Sequence, residues 1–528
     1  MDMKIFKLLR EEWIHPLSIV IVGFCYYMSF FNYGISLSDE GFFVYGAERV
    51  LQGQLPLIDF ISYAPGSYFL LALLFKVFGT NLLVSRFMEM AFLLVDGLMM
   101  FYISKRLMPK NMAVIPSFIL IIFPGPWHKV FFTFGLLLSL IALVRFLEKK
   151  TTLRILTVGW CIGIALVFKF ESGLFSFLAI WIVLFLNHIL KAGKFLINIK
   201  TMGFFLKDLF LCSLGLISMI IPFILYYYSH SALMKVLYSF RGYYEYTTTY
   251  TDIGFSGRPG PLEAFTRFAI GNLKNHFFYL ILLLYLYTFG KVIIHFFIRK
   301  REDFPFQLPV LLFGVFSLTY FYVPFTKPYL LQSVAMAYIL FGSMMYSFIQ
   351  KRGMKLKAVL FILVLLLGLY LVNSFKMKPY FYSGSISRLY AIGKEGAKPI
   401  NLNKAKIYLS PKEFDNVSGL VKYFEGKEGY LMPLFYEPMV NFLTGLENPT
   451  RFSVLTPYYL KSSTQQKQVI GEMERYKIKY LLIYRALWLS EGNISFSNYA
   501  PILYEFVRKH YQLEKEIGDY LIFSMSDP

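Results

Sequence analysis

Residues 16–63 read PLSIVIVGFCYYMSFFNYGISLSDEGFFVYGAERVLQGQLPLIDFISY. Residues 16–36 carry no Lys, Arg, Asp or Glu. As a helix such a run crosses a hydrocarbon core, which takes about 20 apolar residues. Lys4, Lys7 and Arg10 precede it. The run is too long for a signal-peptide core, and no small-residue cleavage site follows it, so it reads as a first span with a cytoplasmic N-terminus. Asp39 and Glu40 stand where that span emerges. Residues 41–52 then form a predicted helix with Phe43, Ala47, Val50 and Leu51 on one face, an amphipathic helix expected to lie on the membrane. Gly53 stops it and Pro56 opens the next stretch.

The rest of the chain agrees. Of 528 residues, 57% are hydrophobic, 19% aromatic and only 16% charged. Mean hydropathy is +0.54. A soluble domain has about 25% charged residues, so an ordinary soluble enzyme, a disordered chain and a disulfide scaffold are excluded. The net charge of +21 is spread in short clusters between apolar runs, as membrane topology demands, and argues against nucleic acid as a partner. Cys25, Cys161 and Cys212 lie inside apolar runs with no metal-ligand spacing and read as small core residues.

Further apolar runs fall near 82–104, 112–126, 131–147, 154–168, 172–190, 207–228, 277–298, 306–324, 329–349 and 358–375. Threaded alternately from a cytoplasmic start, these eleven spans place about 21 Lys and Arg on the inner connections and about 10 on the outer ones. The segment 66–79, GSYFLLALLFKVFG, is short and contains Lys76. Counted as a span it inverts every later loop, so it is expected as a second surface helix within the first outer loop, 37–81. From about 376 the apolar runs shorten and charges mix. Strand-like runs (Ala405–Leu409, Tyr430–Leu434, Tyr480–Tyr484, Tyr520–Phe523) alternate with helix-like ones (Thr464–Tyr476, Ala500–His510). The expected organisation is therefore a polytopic α-helical module over 1–375 and a small extracytoplasmic α/β domain over 376–528, with no internal repeat.

Ionisable groups in spans and tight loops are costly and call for a reason. They collect at the outer ends: Asp39 and Glu40; Trp127-His128-Lys129 between spans three and four; Lys169-Phe170-Glu171 between five and six; Arg258 among the acids and bases of the long loop 229–276; and Lys327 with Tyr329 in TKPYLL. Arg86, Glu89 and Asp96 lie within the second span, and Arg86 and Glu89 are spaced to pair. Two readings of Asp39 stand at this point: an N-cap for the helix that follows, and a general base at the membrane surface. Lys169 and Glu171 likewise fit either a local ion pair or a binding group. Acids and cations on one face beside an amphipathic loop suit a substrate with a lipid tail and an anionic head.

The stretch 38–79 resembles the first outer loop of GT-C membrane glycosyltransferases, in particular the protein mannosyltransferase and aminoarabinose transferase-like group. The features that match are Asp39-Glu40, Gly53-Gln54-Leu55-Pro56, Asp59 and Ala64-Pro65-Gly66. VFKFESGLF (167–175) resembles the group's lysine-containing connection between spans five and six, and KPYLLQSV (327–334) its later basic segment. The resemblance implies transfer of a sugar from a polyprenyl-phosphate carrier to a glycan, lipid or protein acceptor at the outer face of the plasma membrane, with inversion. Asp39, with Glu40 beside it, carries over as the catalytic acid pair and Asp39 as the base. Asp59, His128, Lys169, Glu171, Arg258, Lys327 and Tyr329 carry over as candidate substrate-binding residues. Two departures stand out. The second outer loop has His128 and no carboxylate, which leaves a possible divalent cation without assigned ligands. Tyr63-Ala64 replaces the lysine that some members carry before the proline of the second surface helix, which leaves the phosphate grip unassigned. A transporter or flippase of lipid-linked sugars is the alternative, which matched broken helices in two halves would favour; no such pair occurs. A non-catalytic assembly component is a third.

Overall fold

A computed structural model describes residues 3–123, 129–191, 194–195, 197–236, 276–298, 306–322, 334–350, 396–460, 462–489 and 495–526. Nine helices follow one another in the N-terminal half: α1 (Met3–Met28), α2 (Asp39–Leu51), α3 (Pro65–Phe78), α4 (Leu82–Ser104), α5 (Lys110–Ile122), α6 (Val130–Glu148), α7 (Thr152–Phe168), α8 (Phe170–Ile189) and α9 (Ile199–Ser229). A two-residue hairpin, β1 (Leu190–Lys191) with β2 (Lys194–Phe195), joins α8 to α9. Helices His276–Ile293, Gln307–Tyr322 and Ala335–Gln350 complete the described bundle. Among the described residues five helices are long and apolar enough to cross a membrane: α4, α6, α8, α9 and the stretch Tyr279–Phe296. Shorter apolar helices cover the expected spans at 112–126, 154–168, 306–324 and 329–349, while 358–375 lies outside the described residues. On α9, Phe204, Phe210, Ile217 and Leu225 are exposed, an apolar face suited to lipid rather than water.

The first span differs from its expected bounds. Pro16 lies inside α1, which begins near Met3 and ends at Met28. Beyond it the chain leaves the helix because Tyr33 forms a parallel bridge with Tyr408, and Gly34 turns with φ +62°. Two backbone hydrogen bonds seal that bridge: Gly34 N–H to Tyr408 O and Tyr408 N–H to Asn32 O, each 2.7 Å.

The C-terminal unit contains an antiparallel pair, β3 (Lys398–Leu402) with β4 (Ala405–Leu409), and a four-stranded sheet of order β5-β6-β8-β7. Its strands are β5 (Leu431–Pro433), β6 (Tyr480–Tyr484), β7 (Tyr511–Ile517) and β8 (Tyr520–Met525). β5 and β6 run parallel, and the other pairs antiparallel. Helix Pro411–Phe424 starts at a capping box of Ser410 with Glu413, and helix Ser463–Arg475 at one of Ser462 with Gln465. The strand-like runs read from sequence all fall on strands. β3 and β7 are not among them: β7 is exposed along most of its length, and Lys515 breaks its alternation of Tyr511, Leu513 and Ile517.

The two halves share a core. Ile400, Ile407, Val417, Met439 and Phe442 pack in one cluster with Phe42, Phe43, Tyr68 and Phe75 from the first loop. α2 is therefore covered on both sides, by α3 and by helix Pro438–Thr444, and Phe43 and Ala47 of its predicted apolar face pack against protein. Phe42, Phe43, Val44, Tyr45, Ala47 and Arg49 are all buried. Gly41 permits this closeness, since a Cβ there would collide with the backbone of Met439.

Candidate active site

Ser38 is the N-cap of α2 and Asp39 its first residue, so Asp39 is not the N-cap. The local capping bonds go elsewhere. Ser36 Oγ accepts from Asp39 N–H (3.0 Å), and Glu40 Oε2 accepts from Ser36 N–H (2.8 Å). The Asp39 carboxylate turns instead to the C-terminal unit, where Tyr436 donates its hydroxyl to Oδ1 at 3.0 Å.

Glu40 is held by Arg86. The guanidinium Nε and Nη2 meet its two oxygens at 2.8 and 3.0 Å, a bidentate pair. Arg86 is fully buried and also donates to the carbonyls of Phe31, Tyr33 and Gly34. The expected Arg86–Glu89 pair does not form, because Glu40 and three carbonyls saturate the guanidinium. Glu89 Oε2 and both Asp96 oxygens are buried without hydrogen-bond partners. Asp59 sits one turn further along the loop and accepts from Leu55 N–H at 2.7 Å, closing the 55–59 turn. Its carbonyl accepts from Arg49 Nη2 at 2.9 Å.

Lys169 links α7 to α8, where the close approach of Gly66 to Val167 brings α3 against the end of α7. Its ammonium lies 3.2 Å from Glu171 and 4.8 Å from the centre of the Tyr63 ring. The local ion pair expected of the Lys169–Glu171 segment exists, and the lysine is 6% exposed, far more buried than a surface pair. The cation beside Tyr63, next to Ala64-Pro65, thus comes from the α7–α8 junction.

Lys129, the N-cap of α6, stands in the sequence beside Trp127 and His128, of which only the histidine reads there as a binding candidate. Lys129 is buried and interacts electrostatically with Asp39, Lys169 and Glu171. Burial pushes its ammonium down to about 7, with Asp39 opposing that shift and Lys169 adding to it. The only local signal was a lysine opening a long apolar run. Tyr436 gave no signal at all, since its partner lies 397 residues away. His128, Arg258, Lys327 and Tyr329 lie outside the described residues.

The donor chemistry around Asp39 decides what could bind. Among the described residues no group of three His, Cys, Asp or Glu side chains could hold a metal ion. Glu40 is committed to Arg86, and two lysines stand beside the remaining carboxylates. These residues suit an anionic headgroup next to a carboxylate; a divalent cation is compatible with the fold, and no step below runs through one.

No protein-family model matches the sequence, and no curated protein sequence matches it. Solved structures do match. The oligosaccharyltransferase of Archaeoglobus fulgidus in complex with Zn and sulfate has a TM-score of 0.53 at 12% identity, over 94% of this chain and 71% of that one. The same enzyme in complex with an inhibitory peptide and a dolichol-phosphate has a TM-score of 0.52 at 10% identity, over 98% and 75%. ArnT from Cupriavidus metallidurans, an aminoarabinose transferase in the apo state, has a TM-score of 0.54 at 10% identity, over 97% and 98%. These proteins are GT-C membrane glycosyltransferases. The chain described here has their fold, over 94–98% of its length.

Proposed function

We propose that this protein is a membrane glycosyltransferase that moves a sugar from a polyprenyl-phosphate carrier to an acceptor hydroxyl. The observation that supports this reading is the set Asp39, Lys129 and Lys169, one carboxylate and two buried lysines brought together at the first loop of a GT-C fold. Asp39 acts as general base and takes the acceptor's hydroxyl proton. The acceptor oxygen attacks the anomeric carbon as the bond from that carbon to the phosphate oxygen breaks. The electron pair leaves with the phosphate, and attack from the opposite side inverts the centre. The departing phosphate is a weak base and needs no strong acid. Lys169 and Lys129 stabilise the charge that develops on it, as fixed donors in a water-poor site do. Glu40 and Asp59 serve by holding the loop; Arg258, Lys327, Tyr329 and His128 are further positions for the headgroup or sugar.

The same reading places the protein in the plasma membrane with a cytoplasmic N-terminus and an extracytoplasmic C-terminal unit. The acceptor is a glycan, lipid or protein hydroxyl. The transporter reading has no support in the solved neighbours, which are transferases. The test uses purified protein with a panel of polyprenyl-phosphate sugars and measures release of polyprenyl phosphate, with and without chelator. Release is expected in both conditions. Asp39→Asn is expected to lower it by about 10²–10⁴-fold, the usual contribution of a general base, with normal membrane insertion. A panel in which no donor is consumed would sink the reading.

A further inference from the structure

We infer that Tyr436, from the C-terminal unit, is a positioning residue for the Asp39 base, so that this unit completes the active site. The inference rests on the reading of Asp39 as base. At the start of α2 the N–H groups of Asp39, Gly41 and Phe42 are bonded within the segment, to Ser36 Oγ, Ser36 O and Ser38 O, while the Tyr436 hydroxyl meets the Asp39 carboxylate from the C-terminal unit. A phenol is neutral at working pH and donates one proton. At 3.0 Å from Oδ1 it fixes one carboxylate oxygen and orients the other toward an incoming hydroxyl.

Every neighbour of the tyrosine is itself tied down. Its ring meets Phe42 edge-on, with centroids 5.7 Å apart. Its own N–H donates to Glu437 Oε2 (2.9 Å), and the carbonyl of Phe435 before it accepts from Leu455 N–H (2.7 Å). Three residues further on, Met439 N–H donates to Leu37 O at 3.1 Å, against the flank of Gly41. The start of helix Pro438–Thr444 is thus docked on the start of α2, and the hydroxyl reaches the carboxylate from a backbone with little freedom. Phe42 in turn meets Tyr63 at 5.1 Å, and Tyr63 underlies Lys169. One aromatic row therefore connects the residue that orients the base to the cation proposed to hold the phosphate.

The experiment compares full-length wild type, Tyr436→Phe and Asp39→Asn in detergent or nanodiscs, with the donor that wild type consumes. Tyr436→Phe keeps the ring and removes the hydroxyl. It is expected to lower kcat about tenfold, a share of the base's usual 10²–10⁴-fold effect, while leaving donor KM and melting temperature unchanged. That loss of kcat at unchanged KM and unchanged stability is a split which a purely structural role would not produce. An unchanged kcat in Tyr436→Phe, with Asp39→Asn inactive, overturns the positioning role alone. Full transfer by Asp39→Asn overturns the base assignment and this inference with it.

Discussion

Lys129 is the residue on which the pH behaviour turns. Burial outweighs the pull of Asp39 and holds its ammonium at about 7, against 10.5 for an open lysine. In the free enzyme it is charged below that pH and neutral above it. On the proposed function, capture of an anionic donor therefore weakens as pH rises through 7, and kcat/KM should fall on that alkaline side. Lys129→Arg keeps its charge at every working pH, so its profile should stay flat where wild type declines. Matching alkaline limbs in the two proteins would exclude Lys129 from the grip. Asp39 was legible in the sequence because acid pairs at the exit of a span are rare and costly. Its partners were not, because a hydrogen bond to a distant tyrosine leaves no local period. The guanidinium of Arg86 shows the same limit: spacing nominated Glu89 one turn away, and tertiary structure supplied Glu40 with better, bidentate geometry.

Among the elements, α7 and α9 make the tightest pair because glycines line their seam. A Cβ at Gly159 would collide with the carbonyl of Cys212, and one at Gly215 with that of Leu156. Gly163, four residues after Gly159, packs on Met219. Small residues at this spacing let two backbones approach within a membrane, where apolar side chains gain nothing from leaving lipid. Gly159→Leu should therefore cost at least about 2 kcal/mol through overpacking, read as a lower melting temperature in detergent. Gly203→Leu is the matched control, since nothing lies within 4 Å of a Cβ there, and it should melt as wild type does. Helix positions and strands β4 and β6 were readable from sequence because burial period is a local property. The covering of α2 was not, since one amphipathic stripe says what is buried and not against what.

For the molecule as a whole, Arg49 binds the halves together. It is buried, and it donates to Gln54 Oε1 (2.5 Å), to the carbonyl of Asp59 (2.9 Å) and, across to the C-terminal unit, to the carbonyl of Thr450 (3.0 Å). Its guanidinium also lies 4.9 Å from the centre of the Phe60 ring. Around it Tyr45 OH accepts from Asn448 N–H, Lys404 pairs with Glu48, and Leu82 N–H meets Lys404 O. Arg49→Met fills similar volume but strands three acceptors, at about 1–3 kcal/mol each when buried. A loss of about 3 kcal/mol is expected in unfolding measurements, with sugar transfer falling as Tyr436 loses its register. Equal stability and transfer would show that the staple is redundant.

The bond between Asp39 and Tyr436 spans 397 positions of chain. A ribosome that has just finished the opening loop has made the proposed base but is still far from the tyrosine bonded to it. Strand β8, which pairs with both β6 and β7, emerges later still. During biogenesis the helices of the N-terminal half can thus insert before this contact exists, and the proposed site is complete only when the C-terminal unit folds onto the first loop.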